Sequence, residues 1–219
     1  MKKYVTEFIG TFFLVFVIGL TTTGMPGLAP TPFAPIAIGA ILMVMVYMGG
    51  PVSGAHYNPA VTLAILIRKK IEMKEAFIYM LFQVMGAFAA ALLFYFTFKS
   101  LMGSPAPMRG FNENIKPVAL EAIFTFALAS VVLNVATAKK SAGNSYFGLA
   151  IGFTVMASAF AVGPITAGAF NPSVALGPML MNAIMGGNAI HHLWIYLVGP
   201  FAGAALAALV FRVTNPDEN

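Results

Sequence analysis

The chain has 219 residues, of which 59% are hydrophobic and only 9% charged, with a mean hydropathy of +0.87. So little charge cannot cover the surface of a soluble domain of this length, which makes the chain an integral membrane protein. The net charge of +5 does not indicate a nucleic-acid partner, because the basic residues sit in short clusters between apolar stretches, and the absence of Cys removes disulfides, thiolate metal sites and cysteine nucleophiles.

Apolar runs able to span hydrocarbon, roughly 20 residues each, lie at about 5–23, 33–50, 76–98, 117–138, 146–163 and 190–212. The first follows Met1-Lys2-Lys3 in the manner of a signal peptide, but Glu7 interrupts it and no small-residue cleavage site follows, so it is expected to stay. Two further apolar segments, 58–67 and 171–181, are only half as long. At 1.5 Å per residue a helix of about ten residues covers roughly 15 Å, half of a hydrocarbon core of about 30 Å, which predicts re-entrant half-helices. Irregular backbone survives at membrane depth only where protein buries it or water lines it. The Pro- and Gly-containing approaches, Gly49 to Tyr57 and Gly163 to Phe170, are therefore expected to run beside a water path.

The chain repeats itself. Asn58-Pro59-Ala60-Val61 returns 113 positions later as Asn171-Pro172-Ser173-Val174, each copy after a Gly-Pro turn. Without a gap, Ala37, Ile38, Gly39, Met43, Gly50 and Pro51 align with Ala150, Ile151, Gly152, Met156, Gly163 and Pro164, and the segment at Glu7 answers the one at Glu121. Self-similarity at a fixed offset sets the architecture. An odd number of spans in each half puts the halves in opposite orientations. The reading is one transmembrane channel domain over 1–219, all-α, with six transmembrane helices and two half-helices in inverted repeats at about 1–100 and 115–212.

Basic residues orient it. Lys2, Lys3, Arg68, Lys69, Lys70, Lys74, Lys139, Lys140 and Arg212 fall on one face, against Lys99, Arg109 and Lys116 on the other. The richer face is expected to be cytoplasmic, which places both termini on the cytoplasmic side of a cell membrane.

The duplicated tripeptide carries the chemistry. Asn is a favoured N-cap, and Pro suits the first helical position because its missing N–H costs nothing there. An isolated Asn-Pro-Ala would be an ordinary capped helix start. Two copies opening half-length helices are expected to meet at the midplane, each fixing an Asn amide toward a pore and each directing about half a positive charge at one point. Cations and protons are repelled there and neutral solutes pass.

These residues resemble the aquaporin, or major intrinsic protein, family. The resemblance rests on the paired motifs, the run Ser53-Gly54-Ala55-His56-Tyr57-Asn58-Pro59-Ala60-Val61-Thr62, the Glu in the first helix of each half, and Gly86 and Gly203 in the third. It implies a passive channel and a homotetramer with one pore per subunit. It also implies that Glu7 and Glu121 hold the loops leading into the half-helices and that His56 lines the pore near its cytoplasmic side. A proton or cation site is the other reading of the two carboxylates, and a packing role the other reading of His56. His191 and His192 are expected at the interface, and the Met residues as core filler.

The sequence departs from the family pattern at the outer constriction. The usual second motif is Asn-Pro-Ala-Arg, whereas Ser173 and Val174 stand here; counting as the family does puts the other filter positions at Ile38, Ala159 and Gly168. The aromatic, His and Arg of water-selective members are missing. The Asp that glycerol facilitators place after the Arg is replaced by Ala175. The expected filter is wide and apolar, in a channel for water and small uncharged solutes such as glycerol, urea, ammonia or neutral metalloid hydroxides. The alternatives are an inverted-repeat secondary transporter and a closed structural membrane protein. No nucleophile, base and orienting group cluster, so no enzymatic activity, cofactor or metal is expected. The expected partners are water, small neutral solutes, the lipid bilayer and other copies of the chain.

Overall fold

The computed structural model describes residues 1–25, 29–108 and 115–218. Its long helices are α1 (Lys2–Thr22), α2 (Ala34–Ser53), α4 (Met73–Phe98), α5 (Ile115–Val132), α6 (Phe147–Thr166) and α8 (Leu193–Thr214). A π-helical turn, Leu133–Thr137, extends α5, and a 3₁₀ turn, Ala189–His192, leads into α8. The short helices are α3 (Pro59–Ile67) and α7 (Pro172–Ile184). The six long elements are apolar enough to cross a membrane. Arg109, counted above for orientation, lies outside the described residues.

Two boundaries differ from the sequence reading. Gly50-Pro51 and Gly163-Pro164 do not form turns before the half-helices; both prolines sit inside the last turn of α2 and α6, which run on to Ser53 and Thr166. Proline removes one backbone donor but keeps a helical φ, so one turn beyond each Gly-Pro still closes, ending in left-handed caps at Gly54 and Ala167. The irregular approaches shrink to four residues each. The second half-helix is also longer than expected, 13 residues rather than about ten, because α7 continues through Pro178.

Packing follows the repeat. α1 lies on α2 and α4, α5 on α6 and α8, and α2 meets α6 across the molecule. Each half-helix docks on the third long helix of the opposite half, α7 on α4 and α3 on α8. Glycine makes the crossings close enough. A Cβ on Gly39 would sit 2.7 Å from the Gly152 carbonyl oxygen, and one on Gly152 would sit 2.5 Å from that of Gly39. At α1–α4 and α5–α8, Gly86 and Gly203 lie against the Phe8 and Ala122 carbonyls, 2.4 and 2.1 Å from where a Cβ would stand. Small residues at such contacts are how helices associate in lipid, where no hydrophobic drive exists between them.

After α8 the chain folds back. Arg68, buried at the end of α3, pairs with Glu218 at 2.9 Å and stacks its guanidinium 4.4 Å from the centre of the Phe211 ring. The other Glu218 oxygen accepts from the backbone N–H groups of Lys139 and Lys140. Desolvation works against the charged form, but the two amides and Arg68 outweigh it and hold the Glu218 carboxyl below its usual range.

Candidate functional site: two capped half-helices facing a continuous cavity

Both loops into the half-helices repeat one backbone pattern. Gly54, Ala55 and Tyr57 have φ of 87°, 53° and 49°, and Ala167, Gly168 and Phe170 have φ of 67°, 58° and 48°. Left-handed backbone at a non-glycine residue costs on the order of 1–3 kcal/mol and persists only where surrounding groups enforce it. The enforcing groups are the two buried carboxylates. Glu7 accepts from the amides of His56 (3.0 Å) and Tyr57 (2.7 Å), from Ser53 Oγ (2.6 Å) and from Gln83 Nε2 (2.8 Å). Glu121 accepts from the amides of Ala169 (3.2 Å) and Phe170 (2.7 Å) and from Thr166 Oγ1 (2.7 Å). Both side chains are 0% exposed.

Each loop delivers an Asn N-cap. Asn58 Oδ1 accepts from the amides of Ala60 at 2.8 Å and Val61 at 3.4 Å, and Asn171 Oδ1 from the amide of Ser173 at 3.0 Å. The amide nitrogens reach across the pseudo-twofold axis: Asn58 Nδ2 donates to the Phe170 carbonyl and Asn171 Nδ2 to the Tyr57 carbonyl, both at 2.9 Å. Each –NH₂ carries two hydrogens, so one is spent between the halves and one is left for the cavity, which both Asn residues line.

That cavity measures about 650 Å³. It runs from Thr22, Thr31 and Ser104 at one end, past Asn58 and Asn171, to Val46, His56 and Val132 at the other. Among the described residues its wall carries no Lys, Arg, Asp or Glu. Ile38, Ala159, Gly168 and Val174 all lie on the wall, Val174 on the first turn of α7. His56 lines it too. Pro59, Ala60, Pro172 and Ser173 do not; they are buried behind the caps, and Ser173 Oγ has no hydrogen-bond partner among the described residues. Glu7 and Glu121 are off the wall as well.

Several contributors escaped the sequence reading. Tyr79 Oη donates to the Ser53 carbonyl at 2.8 Å, and Tyr196 Oη to the Thr166 carbonyl at 2.6 Å, tying off the ends of α2 and α6. Each Tyr stands seven residues before the crossing glycine of its helix, Gly86 or Gly203, a spacing that could have exposed them. Thr62 and Gln83 bond to each other at 3.0 Å in the first half; at the equivalent points the second has Ala175 and Pro200. That asymmetry was legible as a break in the repeat.

Six spans in inverted halves, two half-helices meeting end to end, and an uncharged cavity through their junction define a membrane channel. The major intrinsic protein family model matches residues 1–211, and the chain belongs to that family. A glycerol uptake facilitator-like protein of Lactiplantibacillus plantarum is 35% identical over the full length of both chains. A probable aquaporin of NIP type from Nicotiana alata is 33% identical over all of this chain and 79% of its own. The fold matches the X-ray structure of the aquaglyceroporin from Plasmodium falciparum with a TM-score of 0.84 at 23% identity, covering 99% of this chain and 98% of that one.

Proposed function

We propose that the protein conducts water and small uncharged solutes, glycerol and urea among them, passively through the cavity between the two Asn caps. The observation that carries this reading is the uncharged wall running past two opposed helix N-termini. Each N-terminus contributes about half a positive charge to the same region, so a cation or proton meets repulsion with no wall carboxylate to offset it. Neutral permeants meet the free Asn hydrogens instead. A cation-coupled transporter needs an anionic group in the solute path, and both buried carboxylates are engaged by loop donors away from it, which leaves His56 as a titratable side chain on the described wall.

Val174, Ile38, Ala159 and Gly168 form the outer filter in this reading. It lacks a fixed cation and side-chain donors, so it discriminates by size and hydrophobicity more than by hydrogen bonding, which favours polyol- and urea-sized solutes alongside water. The similarity to a glycerol uptake facilitator-like protein supports the same solute class. The protein acts without catalysis, as a homotetramer in a cell membrane with both termini cytoplasmic. The decisive experiment is stopped-flow permeability of proteoliposomes to water, glycerol, urea and arsenite. Rates are expected to follow the concentration gradient alone, and accumulation of any solute against its gradient refutes the channel.

A further inference from the structure

Beside the inner half of the cavity, His56, Thr62 and Gln83 form a cluster with no counterpart at the repeat-matched positions of the second half, and its hydrogen bonds decide the chemistry of His56. Thr62 Oγ1 has three neighbours: the Asn58 carbonyl oxygen at 3.0 Å, Gln83 Nε2 at 3.0 Å and His56 Nδ1 at 3.1 Å. A carbonyl only accepts and an amide nitrogen only donates, while a hydroxyl has one hydrogen and two lone pairs. The Gln83 amide cannot be turned round, because the same Nε2 also donates to Glu7 Oε2, which takes the Tyr57 backbone N–H as well.

With the Thr62 proton on the Asn58 carbonyl, one lone pair receives Gln83 and the other is free for an N–H from His56. All three contacts are then hydrogen bonds. With the Thr62 proton turned to His56 Nδ1, the bond to Asn58 is lost and a lone pair stays empty. The first arrangement has one more bond, a bias of about five- to tenfold at the usual net worth of a buried hydrogen bond. The ring cannot easily swing away, since it packs on Tyr79 with centroids 5.0 Å apart. Among the described residues Nε2 has no protein partner, and His56 lines the cavity.

We propose that Thr62 is a positioning residue that holds the His56 proton on Nδ1, so that Nε2 turns a lone pair into the cavity and accepts hydrogen bonds from solutes. The proposal rests on the channel reading and names a further element of its selectivity. Past the Asn caps, which donate, the next side-chain station accepts, so solutes carrying both O–H or N–H donors and an acceptor oxygen are served at each in turn. Water, polyols and urea meet that requirement. The second half has Ala169 and Ala175 at the matching places, so the His–Thr pair has no repeat-related counterpart on the outer side.

The test is long-range ¹H–¹⁵N correlation spectroscopy of the full-length protein with ¹⁵N-labelled histidine at neutral pH, using His56→Ala to separate its signals from those of His191 and His192. A protonated Nδ1 and a bare Nε2 are expected in the wild type and in Thr62→Ser. In Thr62→Val the Nε2–H form is expected to rise to a comparable share, and the urea-to-water permeability ratio of proteoliposomes to fall about threefold, the effect of weakening one hydrogen bond. A wild-type spectrum dominated by Nε2–H overturns the proposal even if the Val variant fails to fold. A folded Thr62→Val with tautomer ratio and permeabilities like the wild type overturns it too. An Nδ1–H spectrum in a wild-type protein that passes neither water nor urea supports the Thr62 assignment while overturning the channel reading.

Discussion

Removing the amide of Asn171 strikes two bonds at once, and the geometry sets the size of the effect. Asn171→Ala deletes an N-cap made to one backbone amide, worth about 1 kcal/mol, and strips the Tyr57 carbonyl of its donor. That carbonyl belongs to a residue on the cavity wall, so water can replace the lost donor and the penalty sits near the low end of the usual range, about 1 kcal/mol. The total is about 2 kcal/mol, or roughly 4–8 °C in melting temperature for a chain of this size. Asn58→Ala should cost more, because Asn58 caps two amides rather than one. In transit, loss of one free donor raises the barrier by about 1 kcal/mol, slowing water about fivefold. Fluorescence of the sole Trp, Trp194, reads the melt, and stopped-flow light scattering reads the flux. If both variants assemble and melt like the wild type with unchanged permeability, the midplane role of the caps is wrong.

Val174→Arg puts a long cation where the wall is apolar, and glycerol permeability should fall more than water permeability; a folded variant with an unchanged ratio misplaces the filter. The Glu218 carboxyl is held below its usual range, so its contribution to tail docking is complete above the unfolded value near 4.5 and fades as pH drops toward the lower folded value. A spin label on Asp217→Cys should therefore stay immobile at neutral pH and loosen only in acid, and adding Glu218→Gln should loosen it at every pH; a label mobile at neutral pH in the otherwise unchanged chain refutes the docking. With no Cys in the chain, low concentrations of mercurials should leave water flux intact, and block that a thiol reagent reverses would contradict this.

What could be read from the sequence was whatever the repeat encodes. The offset that aligns Gly39 with Gly152 brought together two residues whose backbones touch, and the Asn-Pro pairs announced their own caps through local chemistry. The ends of α2 and α6 were misjudged because a Gly-Pro pair reads as a stop when only local propensity is weighed, whereas Tyr79 and Tyr196 tie the extra turn down from another helix. Cross-chain partners were invisible for a similar reason. Nothing periodic links Arg68 to Glu218, or Asn58 to the carbonyl of Phe170, and such pairs appear only once the helices are placed.

The crossed Asn bonds bear on how the protein is made. The Asn58 amide finds its acceptor on Phe170, 112 residues further along, and the Asn171 amide finds its own on Tyr57. At a synthesis rate of about 5–20 residues per second, the first half-helix waits roughly 6–20 s after emerging before its partner exists. Throughout that interval the loop carrying Ala55 and Tyr57 in left-handed backbone has only the Glu7 side of its support. The first half's re-entrant arm can therefore complete its hydrogen bonds only once the second half is in place.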